Sequence, residues 1–225
     1  IGVRLVGSEM CIRDSVNMEI ISIPLEGDLE HKDDIGNETI IREGDIQVMS
    51  AGTGVFHSEY NKNENKDVKF LQIWLFPNKR NVTPRYDQIS IKGQTKKNQL
   101  NQILSPNKND EGVWIHQDAW FHIGNFDKSK TETYQLKKTG NGIYLFVIEG
   151  NITVDNQKLE RRDGFGLWDI DQISINAEAN SKLLIMAVSY THLRAHETDS
   201  YLVCRLLLEK KLTGRAKGYM RQFGI

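Results

Sequence analysis

The chain has 225 residues, of which 39% are hydrophobic and 26% charged, and its formal net charge is −1. That composition belongs to a globular protein and excludes a collagen-like, disordered or disulfide-stapled chain. No apolar run approaches the roughly 18–20 residues that cross a bilayer as a helix, and no basic stripe is present, so neither membrane nor nucleic acid is expected as a partner.

The N-terminal segment answers to one near the C-terminus. Written as ATG TGT ATA AGA GAC AGC, Met10 to Ser15 has the reverse complement GCT GTC TCT TAT ACA CAT, which encodes the residues from Ala187 to His192. The complementarity continues outward to Ile1 with Tyr201, fifteen pairs in all. An inverted repeat flanking a gene would give the same pattern, but one sequence at both borders looks more like library adapter, and the paired DNA resembles a transposon mosaic end. Residues 1–15 and 187–225 are therefore expected to be non-native. The insert from Val16 to Met186 holds 20 basic and 25 acidic residues and neither cysteine, since Cys11 and Cys204 fall outside it. An insert without thiols fits a reducing compartment, and a cytoplasmic location is expected. The basic tail from Arg205 to Arg221 lies outside the insert and is not read as a nucleic-acid arm.

Short strands separated by turn residues follow, which predicts an all-β barrel or sandwich. Ile20 to Leu25 is an apolar, β-branched run closed by Glu26-Gly27-Asp28. Leu29 to Lys32 resumes, and Asp33-Asp34-Ile35-Gly36-Asn37 forms a turn cluster. Thr39-Ile40-Ile41, the turn Glu43-Gly44-Asp45, the run Ile46 to Met49 and the loop Ala51-Gly52-Thr53-Gly54 lead to a strand over His57 to Tyr60. Val68 to Phe76 is a further strand. The first unit is placed at 16–80, a polar, proline-marked connector at 81–111, and a second unit at 112–186.

The second unit repeats the first. Ile143 to Ile152 matches Ile20 to Leu29, including the Glu-Gly turn, and Arg161-Arg162-Asp163-Gly164 parallels Arg42-Glu43-Gly44-Asp45. Ile175-Asn176-Ala177-Glu178 sits where Phe56-His57-Ser58-Glu59 sits, so Asn176 is expected in place of the histidine. Duplicated units of this size predict two similar β-barrels.

His57 and Glu59 lie two apart on a strand, so both side chains project from one face. An imidazole beside a carboxylate is a natural ligand pair for iron, manganese, nickel or copper; the bland reading is a hydrogen-bonded core or rim pair. Gly52-Thr53-Gly54 permits close backbone approach at the barrel mouth. With no following lysine or helix signal it is not a phosphate loop. His31 is expected as a solvated strand residue beside a turn. His116 and His122 are expected to pack among Trp114, Trp120 and Phe121, each with one hydrogen-bonded tip. Glu19 and Glu26 are read as pocket residues or turn formers, and the recurrence of Glu26 as Glu149 favours a turn for that pair.

A specific resemblance rests on Met18-Glu19-Ile20, Leu25-Glu26-Gly27, Leu29-Glu30-His31, Gly44-Asp45-Ile46-Gln47-Val48-Met49-Ser50-Ala51-Gly52-Thr53-Gly54 and His57-Ser58-Glu59-Tyr60-Asn61. It continues through Gln72-Ile73-Trp74, Thr83-Pro84-Arg85-Tyr86 and Ile115-His116-Gln117-Asp118. These stretches resemble the pirin family of bicupins, and within it the bacterial members described as quercetin 2,3-dioxygenases. The resemblance implies an all-β chain of two cupin barrels, here with the first incomplete. It implies one mononuclear divalent metal, usually iron, held by a His-Pro-His stretch and by the His-Ser-Glu stretch. The second stretch maps onto His57 and Glu59; the first falls on Arg13, Asp14 and Ser15, so two of four ligands are expected to be missing.

The implied activity is a metal-dependent dioxygenase taking a small flavonol-type aromatic substrate and dioxygen, with Glu59 also accepting the substrate hydroxyl proton. The implied rival is a metal-bearing regulatory or interaction protein without turnover. A monomer is expected, with the truncated chain itself inactive.

Overall fold

The computed structural model describes residues 15–189, together with the backbone of Arg13–Ser15, Leu202–Cys204, Glu209–Thr213 and Lys217–Met220. Most of the expected adapter, including Cys11, lies outside the described residues. Every regular element described is a strand. They are β1 (Arg13–Ser15), β2 (Glu19–Glu26), β3 (Leu29–Asp33), β4 (Glu38–Ile41), β5 (Asp45–Ser50), β6 (Val55–Asn61), β7 (Val68–Leu75), β8 (Arg85–Ser90), β9 (Leu100–Ser105) and β10 (Val113–Trp114). There follow β11 (Trp120–Phe126), β12 (Lys130–Gln135), β13 (Asn141–Glu149), β14 (Ile152–Val154), β15 (Gln157–Leu159), β16 (Gly164–Leu167), β17 (Gln172–Ala177), β18 (Ser181–Ser189), β19 (Leu202–Cys204), β20 (Glu209–Thr213) and β21 (Lys217–Met220).

The chain divides into two compact units. One comprises residues 1–92, 113–117 and 207–225; the other comprises 93–112 and 118–206. The first unit contains two antiparallel sheets, ordered β1-β6-β3-β4 and β21-β20-β7-β2-β5-β8. Its turns are those the glycines announce: Gly27 and Gly44 close the β2–β3 and β4–β5 connections with φ of +75° and +88°, which a Cβ would strain. At the β3–β4 turn the Asn37 N–H and side-chain amide both donate to Asp33 at 2.8 Å, an arrangement suited to an Asp at the head of a turn.

In the second unit β9-β11-β18-β13-β16-β19 forms one sheet and β12-β17-β14-β15 the other. One continuous apolar core fills it, including Phe126, Tyr134, Leu145, Ile173, Ile175 and Ile185. β18 runs through Ser189, with Ala187 and Val188 buried, three residues past the expected insert boundary. Among the described residues, the first unit's apolar clusters include one of Ile20, Met49 and Val55 with Met18 and Trp74, and another of Leu29, Ile41, Val68 and Phe70.

The stretch expected as a connector carries two strands: β8 pairs with β5 in the first unit, and β9 pairs with β11 in the second. β8 reads Arg-Tyr-Asp-Gln-Ile-Ser and alternates no apolar face, because Tyr86 and Gln88 are hydrogen-bonded rather than packed in an apolar core.

Candidate functional site

Part of the first barrel's interior is polar, and the strand registers show how it is built. On β6, His57 and Glu59 are each 6% exposed, whereas Phe56, the residue before them, is 57% exposed. The two predicted residues therefore share the inward face. β3 lies alongside with His31 directly opposite Glu59 and Asp33 directly opposite His57. Residues facing each other across strands bring their Cβ atoms within roughly 5 Å, so two imidazoles and two carboxylates occupy one patch. The His31 and His57 rings stack with centroids 5.9 Å apart.

His31 is thus not the solvated residue its charged neighbours suggested: it is 1% exposed. Its Nε2 lies 3.0 Å from Asp33 Oδ2. Burial opposes ionisation of Asp33, but the Asn37 N–H and amide and the His31 ring together hold it below the usual carboxylate range. A carboxylate there accepts a hydrogen bond from the Nε2–H of His31, whose other ring nitrogen is Nδ1. That Nδ1 is buried with no hydrogen-bond partner. The Tyr86 ring closes the patch, 4.9 Å from His31, and its hydroxyl bonds Thr39 at 2.6 Å and donates to Gln88 at 2.7 Å. Burial, with the nearby carboxylates Asp33, Glu59 and Asp45 reinforcing it, pushes the Tyr86 phenol up and keeps it protonated.

The facing sheet answers with a polar row. Across β7, β2, β5 and β8 the register runs Gln72, Ser22, Gln47, Gln88, each directly opposite the next. Ser22 Oγ donates to Glu59 Oε1 at 3.3 Å and Gln72 Nε2 donates to Glu59 Oε2 at 2.7 Å. Both oxygens of Glu59 are thereby oriented from the opposite wall. Sequence reasoning missed this row because an inward polar residue breaks the apolar alternation by which a strand's buried face is recognised.

The internal repeat supplies its own control. The Glu-Gly turns align Ser22 with Leu145 and Leu29 with Ile152, and the registers carry the match onward. Gln72-Ser22-Gln47 corresponds to Ile185-Leu145-Phe165, and His57 and Glu59 correspond to Ile173 and Ile175. The same fold is stable with apolar residues at all five positions, so the polar waist is not a requirement of the architecture. Asn176 is not the counterpart of His57: it faces outward, exposed, where its Oδ1 accepts from Thr131 Oγ1 at 2.7 Å. The sequence match was displaced because β17 alternates apolar and polar residues regularly, and its inward set is Ile173, Ile175 and Ala177.

β1 pairs with β6, placing Arg13 opposite His57 and Ser15 opposite Val55. Those are the positions to which the sequence resemblance assigned the missing imidazoles. Among the described residues, no group of three or more His, Cys, Asp or Glu is arranged to hold a metal ion.

The remaining candidates fall elsewhere. Glu19 is buried on the opposite face of β2 from the waist, where Ser50 Oγ donates to it at 2.8 Å. Glu26 is exposed at the β2–β3 turn and pairs with Lys69, as a turn former would. His116 packs edge-on against Trp114 at 4.9 Å. His122 packs inside the second barrel at 4.8 Å from Tyr134; burial and then Lys137 depress its pKa to about 4, leaving a neutral ring. Its Nδ1 is buried without a hydrogen-bond partner.

Comparison with known proteins agrees with this architecture. The pirin family profile matches residues 4–75, and the quercetinase C-terminal cupin domain matches residues 102–188. A protein called quercetin 2,3-dioxygenase from Escherichia coli K12 is 36% identical over 169 residues, covering 75% of this chain and 71% of its own. A pirin-like protein from Caulobacter vibrioides is 31% identical over 171 residues, covering 76% of this chain and 73% of its own. The crystal structure of YhhW from Escherichia coli superposes with a TM-score of 0.74 at 32% identity, over 81% of this chain and 76% of that one. The same bacterial pirin has been solved in complex with nickel(II).

Proposed function

Because the chain belongs to the pirin family of cupin proteins, we propose that its first barrel carries half of a metal-dependent dioxygenase centre of the quercetin 2,3-dioxygenase type. His57 and Glu59 are the proposed donors to one divalent cation, with iron the ion the resemblance implies and manganese, nickel and copper chemically compatible. The observation that carries the reading is their common inward placement on β6, facing polar residues whose counterparts in the second barrel are Ile185, Leu145 and Phe165. A bound cation supplies Lewis-acid polarisation and orientation to a hydroxylated aromatic substrate. The substrate class is a flavonol, whose heterocycle is opened by dioxygen with release of carbon monoxide.

The chain's own residues do the positioning. Ser22 and Gln72 hold the Glu59 carboxylate from across the barrel. Glu59 is the proposed acceptor of the substrate hydroxyl proton, a role open to a carboxylate within hydrogen-bond reach of that hydroxyl. Asp33 fixes His31, which stacks on His57 and so limits how its ring can turn.

The donor set is incomplete. Arg13 and Ser15 stand at the two further positions, so the chain as given holds its ion weakly and does not turn over; two donors leave a cation mostly solvated. The test is to measure bound metal by elemental analysis, and dioxygen uptake with quercetin, for this chain and for the double variant Arg13→His, Ser15→His. The expected result is little metal in the first, and close to one ion per chain with measurable uptake in the second. A tightly held stoichiometric ion in the unaltered chain, or no uptake by a fully loaded double variant, would overturn the reading.

A further inference from the structure

Within the polar row of the first barrel, three of the four residues have partners. Ser22 and Gln72 bond Glu59, and Gln88 Nε2 donates to Ile40 O and Asp45 Oδ2, both at 3.0 Å, while its Oε1 accepts from Tyr86. Gln47 is different. It is 1% exposed, yet both its Nε2 and its Oε1 are buried without any hydrogen-bond partner. A buried amide with neither end satisfied is among the costlier groups a core can hold. The second barrel fills the corresponding position with Phe165, so nothing in the fold demands an amide there. Gln47 stands one strand over from Ser22, which touches Glu59. His31 Nδ1, on the strand position opposite Glu59, is likewise without a partner.

We propose that Gln47 is the residue that selects the substrate, by pairing its amide with a neutral α-hydroxycarbonyl group. The chemistry of the atoms points to that class. A carboxamide presents one donor and one acceptor side by side, and an enolic hydroxyl next to a carbonyl presents the complementary acceptor and donor. A carboxylate ligand would offer two acceptors and no donor, and would bring a negative charge beside Glu59 and Asp33. A simple phenol would satisfy only one end of the amide. A flavonol carries the α-hydroxycarbonyl unit, so the inference rests on the dioxygenase reading for its substrate while standing on Gln47 for its specificity. Gln47 acts as a binding residue; nothing in its role requires a bound cation.

The test separates the two readings by working without metal. The chain is stripped with chelator and titrated with 3-hydroxy-2-methyl-4-pyranone, which carries the α-hydroxycarbonyl unit, and with 2-methyl-4-pyranone, which lacks the hydroxyl. Binding is followed calorimetrically and by the shift in thermal midpoint. The unaltered chain is expected to bind the hydroxylated ring at least tenfold more tightly than its analogue. Gln47→Met, which keeps the length and removes both polar atoms, is expected to abolish that preference and to raise the melting temperature of the ligand-free chain, since an unsatisfied amide has been removed. Equal binding of the two rings by the unaltered chain, or a Gln47→Met variant that keeps the preference, would overturn the proposal. So would a Gln47→Met variant that melts lower without ligand, because the amide would then have a structural partner. A chain that passes this test while the metal-loaded double variant consumes no dioxygen retains the binding assignment and loses only the oxygenase reading.

Discussion

At Glu19 the structure buries a carboxyl group that the proposed chemistry does not use. Burial is the largest influence on it and raises its pKa from 4.5 to about 7, against the opposing effects of the Ser50 hydroxyl, the His116 N–H and the Arg85 guanidinium. A carboxyl with a raised folded-state pKa contributes stability that is complete below pH 4.5 and lost as the pH climbs through about 7, in total roughly 3 kcal/mol. Glu19→Gln removes the ionisation and keeps the shape. Urea unfolding at pH 5 and pH 8 should therefore show a marked loss of stability in the parent and a much flatter profile in the variant; equal pH slopes would show that Glu19 ionises freely in the fold. Arg85, the nearest cation, is itself engaged, donating to the Trp114 carbonyl at 2.7 Å with its guanidinium 3.9 Å from the Trp114 ring centroid. At this scale the sequence was partly legible. The His57–Glu59 pair could be seen because spacing alone puts i and i+2 on one face. His31 and Asp33 obey the same rule but are embedded in Glu-His-Lys-Asp-Asp, where outward charges mask which residues turn inward.

Among the elements, the loop between β5 and β6 decides where the candidate ligands stand. Gly52 has φ +50°, and a Cβ there would lie 2.0 Å from the Val82 carbonyl oxygen. The same carbonyl accepts from the Thr53 N–H at 3.1 Å, and the Gly52 carbonyl accepts from Asn17 at 2.9 Å, so the loop is clamped from both sides. Gly52→Ala must push main chain against main chain and is expected to destabilise the fold by roughly 2–4 kcal/mol. Chemical denaturation checks it, and a loss under about 0.5 kcal/mol would mean that the clamp yields. The glycine pattern and the turns at Gly27, Gly36 and Gly44 were legible because each marks a backbone conformation few other residues adopt. β8 was not legible. Its polar side chains bond across to β4 and within β8, through Thr39 to Tyr86 and Gln88 to Ile40, and polar pairing leaves no hydrophobic period in the sequence.

Taken whole, the molecule holds two versions of one barrel, which differ at the inward positions of Ser22, Gln47, His57, Glu59 and Gln72. The duplication was readable from the two Glu-Gly turns and their flanking apolar runs. The site correspondence was not, because a displaced alignment exchanges the inner and outer faces of a strand. Asn176→His accordingly places an imidazole in solvent, and elemental analysis of that variant should show the same metal content as the parent; a gain of one ion would contradict the outward register. β1 has a broader implication. Its place beside β6 is held by main-chain pairing at Arg13, Asp14 and Ser15, which are unlike the residues that the resemblance puts there. On the proposed metal reading, the residues along that edge form an interchangeable cassette. A three-residue graft is then expected to reprogram which ion the proposed site prefers while the surrounding scaffold keeps its blueprint.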